Sequence, residues 1–242
     1  DFAMPRNAKM ITVPQHGSYA ARNGALDLAE GDIIAFTDAD CVPEPQWLTV
    51  AIDTFEADQS ISRIAGGVIH FVKGGEWNTA TLYDRIFMLR QDHFAAEGKA
   101  ATANAFMRCK LFETVGRFNA DLLTGGDHEW SVRAEQAGFR LVFCPAAAVG
   151  HPARNSLLQL LRKVRRFAGG SIAQKRKRGD KFILPSFDYL IPPFRRGLVL
   201  LRSGDLTFGE VVRVWALLYV LRVATLGEQL RLVLFKRNYE RR

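Results

Sequence analysis

The alternation of apolar and polar positions divides the first three-fifths of the chain into short helices and strands. Residues 18–30 start at Ser18, a good N-cap, carry helix-forming alanines and leucines, and stop at Gly31, which is typical of a helix. The apolar run 32–37 (DIIAFT) has the length of a strand. A second helix opens at Pro45 and repeats its large apolar side chains at helical spacing. The pattern predicts helix, strand, acidic loop and helix in that order.

The same pattern continues to residue 145. Residues 63–72 read as a strand, residues 77–96 as one long amphipathic helix, and residues 139–144 as a strand that Pro145 ends. Strands that alternate with helices predict an α/β fold with a mostly parallel sheet flanked by helices. In such sheets functional groups gather at the carboxyl ends of the strands.

Beyond residue 151 the chain becomes helical and basic. Asn155 can cap a helix that carries leucines on one face and arginines and lysines on the other. Thr207 and Glu210 form a capping box in front of a second apolar helix, whose uninterrupted core, residues 214–221, is too short to span a bilayer. Such helices suit a membrane interface, and the alternative is that their apolar faces pack on the preceding domain.

The charge is divided at the same place. Residues 1–150 carry 13 Lys and Arg against 19 Asp and Glu, a net of −6, whereas residues 151–242 carry 20 against 6, a net of +14. We therefore predict an α/β domain over 1–152 and a basic amphipathic helical tail over 153–242, which is membrane-associated or packed on the domain. The basic residues lie beside leucines rather than exposed aromatics, so an anionic membrane surface is the expected partner and nucleic acid is not.

The cysteines bear on the compartment. Cys41, Cys109 and Cys144 are odd in number and widely spaced, which favours a reduced, cytosolic setting. With the basic tail, this predicts a cytoplasmic protein that is peripheral on the inner face of the cell membrane.

Two carboxylates follow the first strand. Asp38 and Asp40 point the same way on an extended backbone, so both can address one divalent cation, and Mn²⁺ or Mg²⁺ favours such oxygen ligands together with phosphates. The alternative is a solvated acidic turn.

A second candidate site surrounds Gly125-Gly126-Asp127. The glycine pair delivers Asp127 to a helix N-terminus, where the dipole favours the ionised carboxylate that a general base requires. Asp127 could instead be a simple N-cap. His151 follows the third strand and is a candidate metal ligand, with an ordinary loop histidine as the alternative.

Taken together, four separated motifs resemble the family 2 glycosyltransferases of the GT-A fold over roughly residues 15 to 170. The motifs are Ala21-Arg22-Asn23-Gly24-Ala25, the segment GDIIAFTDAD that ends at Asp40, Gly125-Gly126-Asp127, and Pro145 followed by Val149-Gly150-His151. The resemblance implies a metal-dependent inverting transferase that moves one sugar from a UDP- or GDP-linked donor to a hydroxyl of a glycan or lipid-linked acceptor, in cell-envelope or lipid-linked glycan synthesis. A non-catalytic scaffold or membrane-binding domain is the alternative.

The resemblance also implies residue roles. Asp127 would be the catalytic base. The nucleotide-sugar site would comprise Arg22, Asn23, Asp38, Ala39 and Asp40. The metal, Mn²⁺ or Mg²⁺, would be held by Asp38, Asp40 and His151. The donor-sugar and acceptor side would include Asn104, Glu129 and Trp130, although burial habit favours a core position for Trp130.

Three departures from the family pattern affect these expectations. The usual G-E-D reads Gly125-Gly126-Asp127, which suggests altered acceptor specificity. The Q-x-x-R-W motif of processive enzymes is only partly present at 159–163, with Lys163 in place of Trp, so we predict transfer of a single sugar. The βα units that usually precede Ala20 lack a strand signature here, so we expect a chain without its N-terminal βα units.

Overall fold

The structure is a computed structural model that describes residues 7–180, 184–202 and 204–235. Its elements are α1 (Ser18–Leu26), β1 (Ile33–Thr37), β2 (Val42–Pro43), α2 (Trp47–Ala57), β3 (Ile61–Phe71), α3 (Thr79–Phe87), α4 (Gln91–Ala96), β4 (Asn104–Arg108), α5 (Leu111–Thr114), α6 (Gly126–Gln136), β5 (Arg140–Pro152), α7 (Leu157–Lys177), a 3₁₀ helix (Phe187–Leu190), α8 (Phe194–Arg202) and α9 (Phe208–Leu234).

The strands form one five-stranded sheet in the order β1-β4-β3-β5-β2. Strands β3 and β5 pair in parallel, whereas β4 runs antiparallel to both of its neighbours and β2 runs antiparallel to β5. The α/β class with flanking helices is confirmed, but the described sheet is mixed rather than mostly parallel. The reason is that α3 and α4 span only 9 and 6 residues and bring the chain back to the same edge, where it starts β4 in the reverse direction.

The carboxyl ends of β1, β3 and β5 therefore share one edge with the start of β4. Thr37, the last residue of β1, pairs with Asn104, and His70 of β3 pairs with His151 of β5. The loop after β1 carries Asp38 and Asp40. The topology thus collects most of the polar residues singled out from the sequence at this edge.

Strand β5 is longer than the sequence pattern predicts. It continues past Pro145 to Pro152, because the pairing register shifts between Gly66 and Gly67, and the partner strand moves from Cys144 directly to Ala148. The proline thus falls in a bulge, where a missing N–H leaves no ladder bond unmade.

The long helix expected over 77–96 is two helices. Helix α3 ends at Phe87, and α4 begins at Gln91 after Leu89 adopts a left-handed backbone with φ of 48°. Nothing in the apolar spacing marks this break. The helix that precedes β1 is also shorter than expected, since it ends at Leu26.

The basic C-terminal region packs on the α/β body. Apolar side chains of α7 and α9 form a buried cluster with α3, in which Leu160, Val214 and Leu218 are nearly inaccessible. Thr207 and Glu210 form the expected capping box, whereas the N-cap of α7 is Ser156 rather than Asn155. None of the helices in the described ranges is both long and apolar enough to cross a membrane. The division at residue 152 stays a prediction.

Candidate active site at the carboxyl edge of the sheet

Asp38 lies beside an arginine of the preceding helix. Strand β1 ends at Thr37, and Asp38 accepts a 2.7 Å ion-paired hydrogen bond from the Arg22 guanidinium of α1. The chain then turns, because the Cys41 N–H donates to the Asp38 carbonyl oxygen, and Ala39 is exposed on this turn. The turn breaks the extended backbone that would have kept the carboxylates of Asp38 and Asp40 parallel.

Asp40 instead gathers with Cys41 and His151. One ligand atom of each of these residues lies within 4.8 Å of the others, and Asp38 is not part of the group. Asp38, which pairs with Arg22, lies outside this group, and the expected set of Asp38, Asp40 and His151 stays a prediction. The sequence analysis did not consider Cys41 for this group, although it follows Asp40 directly.

The chemistry of these donors fits a divalent cation. His151 is 4% exposed, and its Nδ1 atom has no hydrogen-bond partner among the described residues. Burial lowers the pKa of His151, and burial likewise lowers that of the neighbouring His70 to about 4, so both rings are neutral near pH 7. A neutral imidazole beside a carboxylate is a donor set that suits Mn²⁺, and Mg²⁺ less well. Burial raises the pKa of the Cys41 thiol above its ordinary value.

Asp127 occupies the first turn of α6. Gly125, with a left-handed φ of 72°, forms the N-cap, so Asp127 is not the capping residue. Its carboxylate accepts hydrogen bonds from the Tyr19 hydroxyl at 3.1 Å and from the Thr102 N–H at 3.3 Å. Burial, reinforced by the Asp127 charge, raises the pKa of Tyr19 to about 12, so the phenol stays protonated and donates.

One loop connects Asp127 with the group around Asp40. The Thr102 N–H contacts Asp127, and the next residue, Ala103, places its carbonyl oxygen 3.7 Å from Cys41 Sγ. Both candidate centres therefore contact the short segment, residues 102–103, that leads into β4. Sequence reasoning missed Tyr19 and the contact of Thr102 with Asp127, because their partners are distant along the chain.

Three residues expected at the site have structural roles instead. Asn104 is fully buried, where its amide donates to two backbone carbonyl oxygens and accepts from Trp47. Trp130 is 0% exposed, stacks on Phe112 and offers no free face to a sugar. Asn104 and Trp130 are core residues, because they lie on the inner faces of β4 and α6. The side-chain amide of Asn23 donates to the Phe118 carbonyl oxygen and accepts from the Phe118 N–H.

Glu129 lies on the outer face of α6. It forms a two-point ion pair with Arg133 and lines a cavity of about 640 Å³ between α6 and the end of α7. The same cavity is lined by Gly125 and His128, which flank Asp127. Glu129 is thus accessible, close to the candidate base in sequence, and on the opposite face of the helix from the buried Trp130.

Asp84, Arg154 and Lys163 form a further charged group near His70 and His151. Asp84 of α3 is fully buried and accepts from both the backbone N–H and the guanidinium of Arg154. Lys163 of α7 is close enough for its charge to lower the pKa of His70. Burial, with a smaller effect of Arg154, lowers the pKa of Lys163 itself to about 7. The Lys of the incomplete Q-x-x-R-W motif thus faces the sheet edge.

Comparison with known proteins shows similarity to glycosyltransferases. The sequence profile of "Glycosyl transferase family 2" matches residues 2–116. Glycosyltransferase AglE of Haloferax volcanii is 35% identical over 164 residues, which cover 67% of this chain and 53% of AglE. The pre-mycofactocin glycosyltransferase of Mycobacterium tuberculosis is 28% identical over 165 residues, 65% of this chain and 34% of that protein. The chain thus spans about half the length of the first relative and about a third of the second.

Among solved structures, the mannosyltransferase PcManGT of Pyrobaculum calidifontis, in complex with GDP-Man and Mn²⁺, shares the fold. Its TM-score is 0.50 at 18% sequence identity, and the match covers 88% of this chain and 66% of that one. With the motifs in family order at one edge of the sheet, these similarities show that the chain belongs to the family 2 glycosyltransferases and has the GT-A fold.

Proposed function

We propose that the protein is a metal-dependent inverting glycosyltransferase that moves one sugar from a UDP- or GDP-linked donor to a hydroxyl acceptor. The observation that carries the proposal is that residues 102–103 contact both centres: the Ala103 carbonyl oxygen lies near Cys41, which is grouped with Asp40 and His151, and the Thr102 N–H donates to Asp127. Such a placement suits a donor diphosphate at the first position and an acceptor hydroxyl at the second. The complex of PcManGT with GDP-Man and Mn²⁺ supports this class of donor.

The donor side uses the end of β1 and the start of α1. Arg22 binds donor phosphate or ribose together with Asp38, with which it is already paired. Ala39 and Asp40 continue the chain after Asp38. Asn23 holds α1 in place through its hydrogen bonds to the Phe118 backbone. A guanidinium that is partly buried at this edge suits an anionic donor, because its charge is weakly screened there.

Asp40 and His151 would hold the cation, Mn²⁺ or Mg²⁺, and the Cys41 thiol lies beside them. When bound, the ion would neutralise the negative charge that the leaving diphosphate acquires. Asp38 stays with Arg22.

Asp127 acts as the general base in a single displacement. As the acceptor oxygen forms its bond to the anomeric carbon, the bond from that carbon to the diphosphate oxygen breaks, and its electron pair leaves with the nucleoside diphosphate. The acceptor proton moves to the Asp127 carboxylate. Attack from the face opposite the leaving group inverts the anomeric centre. The Tyr19 hydroxyl and the Thr102 N–H fix the orientation of the carboxylate during this step.

The acceptor approaches along the outer side of α6. Glu129 and the adjoining cavity offer polar contacts to a glycan or lipid-linked acceptor, as in cell-envelope glycan synthesis on the cytoplasmic side of a membrane. Because Lys163 replaces the tryptophan of processive enzymes, the protein adds one sugar.

Calorimetry with UDP- and GDP-sugars, with and without Mn²⁺, tests the donor site. We expect binding heat that depends on Mn²⁺ in the wild type and is lost in Asp40→Ala. A domain that acts only as a scaffold would show no metal-dependent heat, and this result would overturn the proposal.

Asp127→Asn tests the base. We expect turnover to fall by about a hundredfold or more, whereas Mn²⁺-dependent donor binding stays within about twofold of the wild type, because the amide keeps the shape but cannot accept the proton. Asp53→Asn, at an exposed acid of α2, is the matched control and should leave both unchanged. Retained turnover in Asp127→Asn would contradict the assignment.

A further inference from the structure

A row of exposed apolar side chains covers residues 184–202, which we call the outer layer. It contains the 3₁₀ helix and α8. Phe187, Ile191, Phe194, Leu198 and Val199 are each more than half exposed. Monomeric proteins rarely expose so many large apolar side chains in one short segment, and such patches mark interaction sites.

The outer layer runs along one face of α9. The Leu190 carbonyl oxygen accepts from the Tyr219 hydroxyl at 2.9 Å, and the Pro193 carbonyl oxygen accepts from the Trp215 indole at 3.3 Å. Another face of α9 packs on α3 and α7, and Leu200 of α8 and Trp215 join the same apolar cluster. The outer layer is therefore anchored to the body on its inner side, whereas Leu198 and Val199 stay more than half exposed.

Helix α8 has a distinct inner and outer face. Leu200 is buried, and a Cβ atom at Gly197 would lie 3.1 Å from the Trp215 ring, so these two positions face α9. At about 100° per residue, Leu198 and Val199 lie on the opposite face. The outward face of α8 thus carries two exposed apolar side chains, Leu198 and Val199.

Two arginines share this outward face. Arg195 and Arg202 are exposed, and neither forms an ion pair within the described ranges. The only acid of the outer layer, Asp188, lies toward Arg222 of α9. A protein surface that covered the apolar side chains would strip water from two guanidinium groups without an evident partner, which is costly. A lipid interface accepts both kinds of side chain, since acyl chains take up the leucines and phosphates bind the arginines.

We propose that the outer layer docks on an anionic phospholipid surface. Leu198 and Val199 enter the boundary of the acyl chains, while Arg195 and Arg202 bind lipid phosphate oxygens. The docking is independent of the proposed transfer activity, because none of these residues belongs to the candidate active site. It also specifies residues 184–202 as the part of the basic region that touches lipid.

Vesicle flotation with the whole protein tests the docking. We expect binding to phosphatidylcholine vesicles that contain phosphatidylglycerol and little binding to phosphatidylcholine alone. The double change Leu198→Gln and Val199→Gln, and separately Arg195→Gln with Arg202→Gln, should each weaken partitioning about tenfold or more. Leu48→Gln with Ile52→Gln, at two exposed apolar positions of α2, is the matched control and should bind as the wild type.

Three results would overturn the proposal. The first is equal binding to both kinds of vesicle, and the second is binding by the Leu198/Val199 variant that equals the wild type. The third is a dimer in light scattering without lipid that the same variant dissociates, which would assign the patch to a second copy of the chain. Turnover with a soluble acceptor, and circular dichroism of each variant, separate a failure of docking from a failure of the proposed activity or of folding.

Discussion

At the scale of single residues, close packing requires a glycine at the second position of Gly125-Gly126-Asp127. A Cβ atom at Gly126 would lie 2.7 Å from the Tyr19 ring, and real Cβ atoms essentially never come that close to a neighbour. The same tyrosine donates a hydrogen bond to Asp127. Tyr19 therefore fills the space that a side chain at position 126 would need, and it also orients the candidate base.

The change Gly126→Ala should displace the Tyr19 ring and, with it, the Asp127 carboxylate. A misplacement of about 1 Å at the reacting groups lowers turnover by about a hundredfold. Steady-state kinetics with a saturating donor measure the effect. Gly227→Ala, in helix α9 where a new Cβ meets no neighbour, is the control and should keep full activity. Normal turnover in Gly126→Ala would show that the contact with Tyr19 does not position the base.

Lys163 gives a prediction for the dependence of stability on pH. Its pKa is about 7 in the folded protein against an ordinary value of 10.5. Below about pH 7 the ammonium is charged in both states, so the folded protein carries the full cost of burying it. Between pH 7 and 10.5 the folded state releases a proton that the unfolded state keeps, so this cost fades as the pH rises.

Lys163→Met should therefore raise the urea midpoint most near pH 6, and the gain over the wild type should shrink as the pH rises from about 7 to about 10. Urea denaturation at a series of pH values measures this difference. Lys177→Met, at an exposed position of the same helix, should show no such trend across this range. A gain for Lys163→Met that is constant with pH would contradict the burial of a charged lysine.

At the scale of elements, the bulge of β5 shows what sequence periodicity does not contain. Pro145 was expected to end the strand, since proline cannot donate to a ladder. The strand continues because Gly67 of β3 lets the bulge approach closely, with the Pro145 carbonyl oxygen 2.3 Å from where a Cβ would be. Asn104 of β4 then donates to the carbonyl oxygens of Gly67 and Ala147. A side chain from a third strand thus secures the bulge.

Asn104→Ala should lower the free energy of unfolding by about 2–4 kcal/mol, because two buried carbonyl oxygens and the Trp47 indole lose their partner. Urea denaturation measures the loss. In Asn119→Ala, where the side chain accepts from one backbone N–H on an exposed loop, the loss should stay below about 1 kcal/mol. Equal losses in the two variants would argue against the role of Asn104 in the bulge.

At the scale of the whole molecule, the basic C-terminal region is part of the folded body. Leu160 of α7 is 2% exposed and joins Leu82 of α3 and Val214 of α9 in one apolar cluster. Arg162, Arg165 and Arg166 of α7 are exposed, so the packed apolar face of this helix is accompanied by a basic face toward solvent. The two parts of the chain differ in net charge, but apolar packing joins them in one folded body.

Leu160→Ala should lower the free energy of unfolding by about 2–5 kcal/mol while unfolding remains a single transition. Tryptophan fluorescence and far-ultraviolet circular dichroism in urea should give the same midpoint. Leu158→Ala, at a position that is 56% exposed, should change stability by less than about 0.5 kcal/mol. Two separate transitions in the wild type would show that the C-terminal region folds on its own.

Several features of this protein were determined by the sequence alone. The α/β class, the helix before β1, the capping box at Thr207 and the family membership all follow from apolar spacing, cap residues and motifs that are local in the chain. Local signals suffice for these features because hydrogen bonding and capping within an element depend on neighbouring residues.

Only the tertiary structure decided which residues meet. Asp38 turns to Arg22, Cys41 joins Asp40 and His151, and Tyr19 reaches Asp127 across 108 residues of chain. The tertiary structure also buries Asn104 and Trp130, which the family resemblance had placed near the substrate. These outcomes depend on the direction of β4, the bulge of β5 and the break between α3 and α4. Each of them arises from packing between distant segments, and such packing leaves no periodic trace in the sequence.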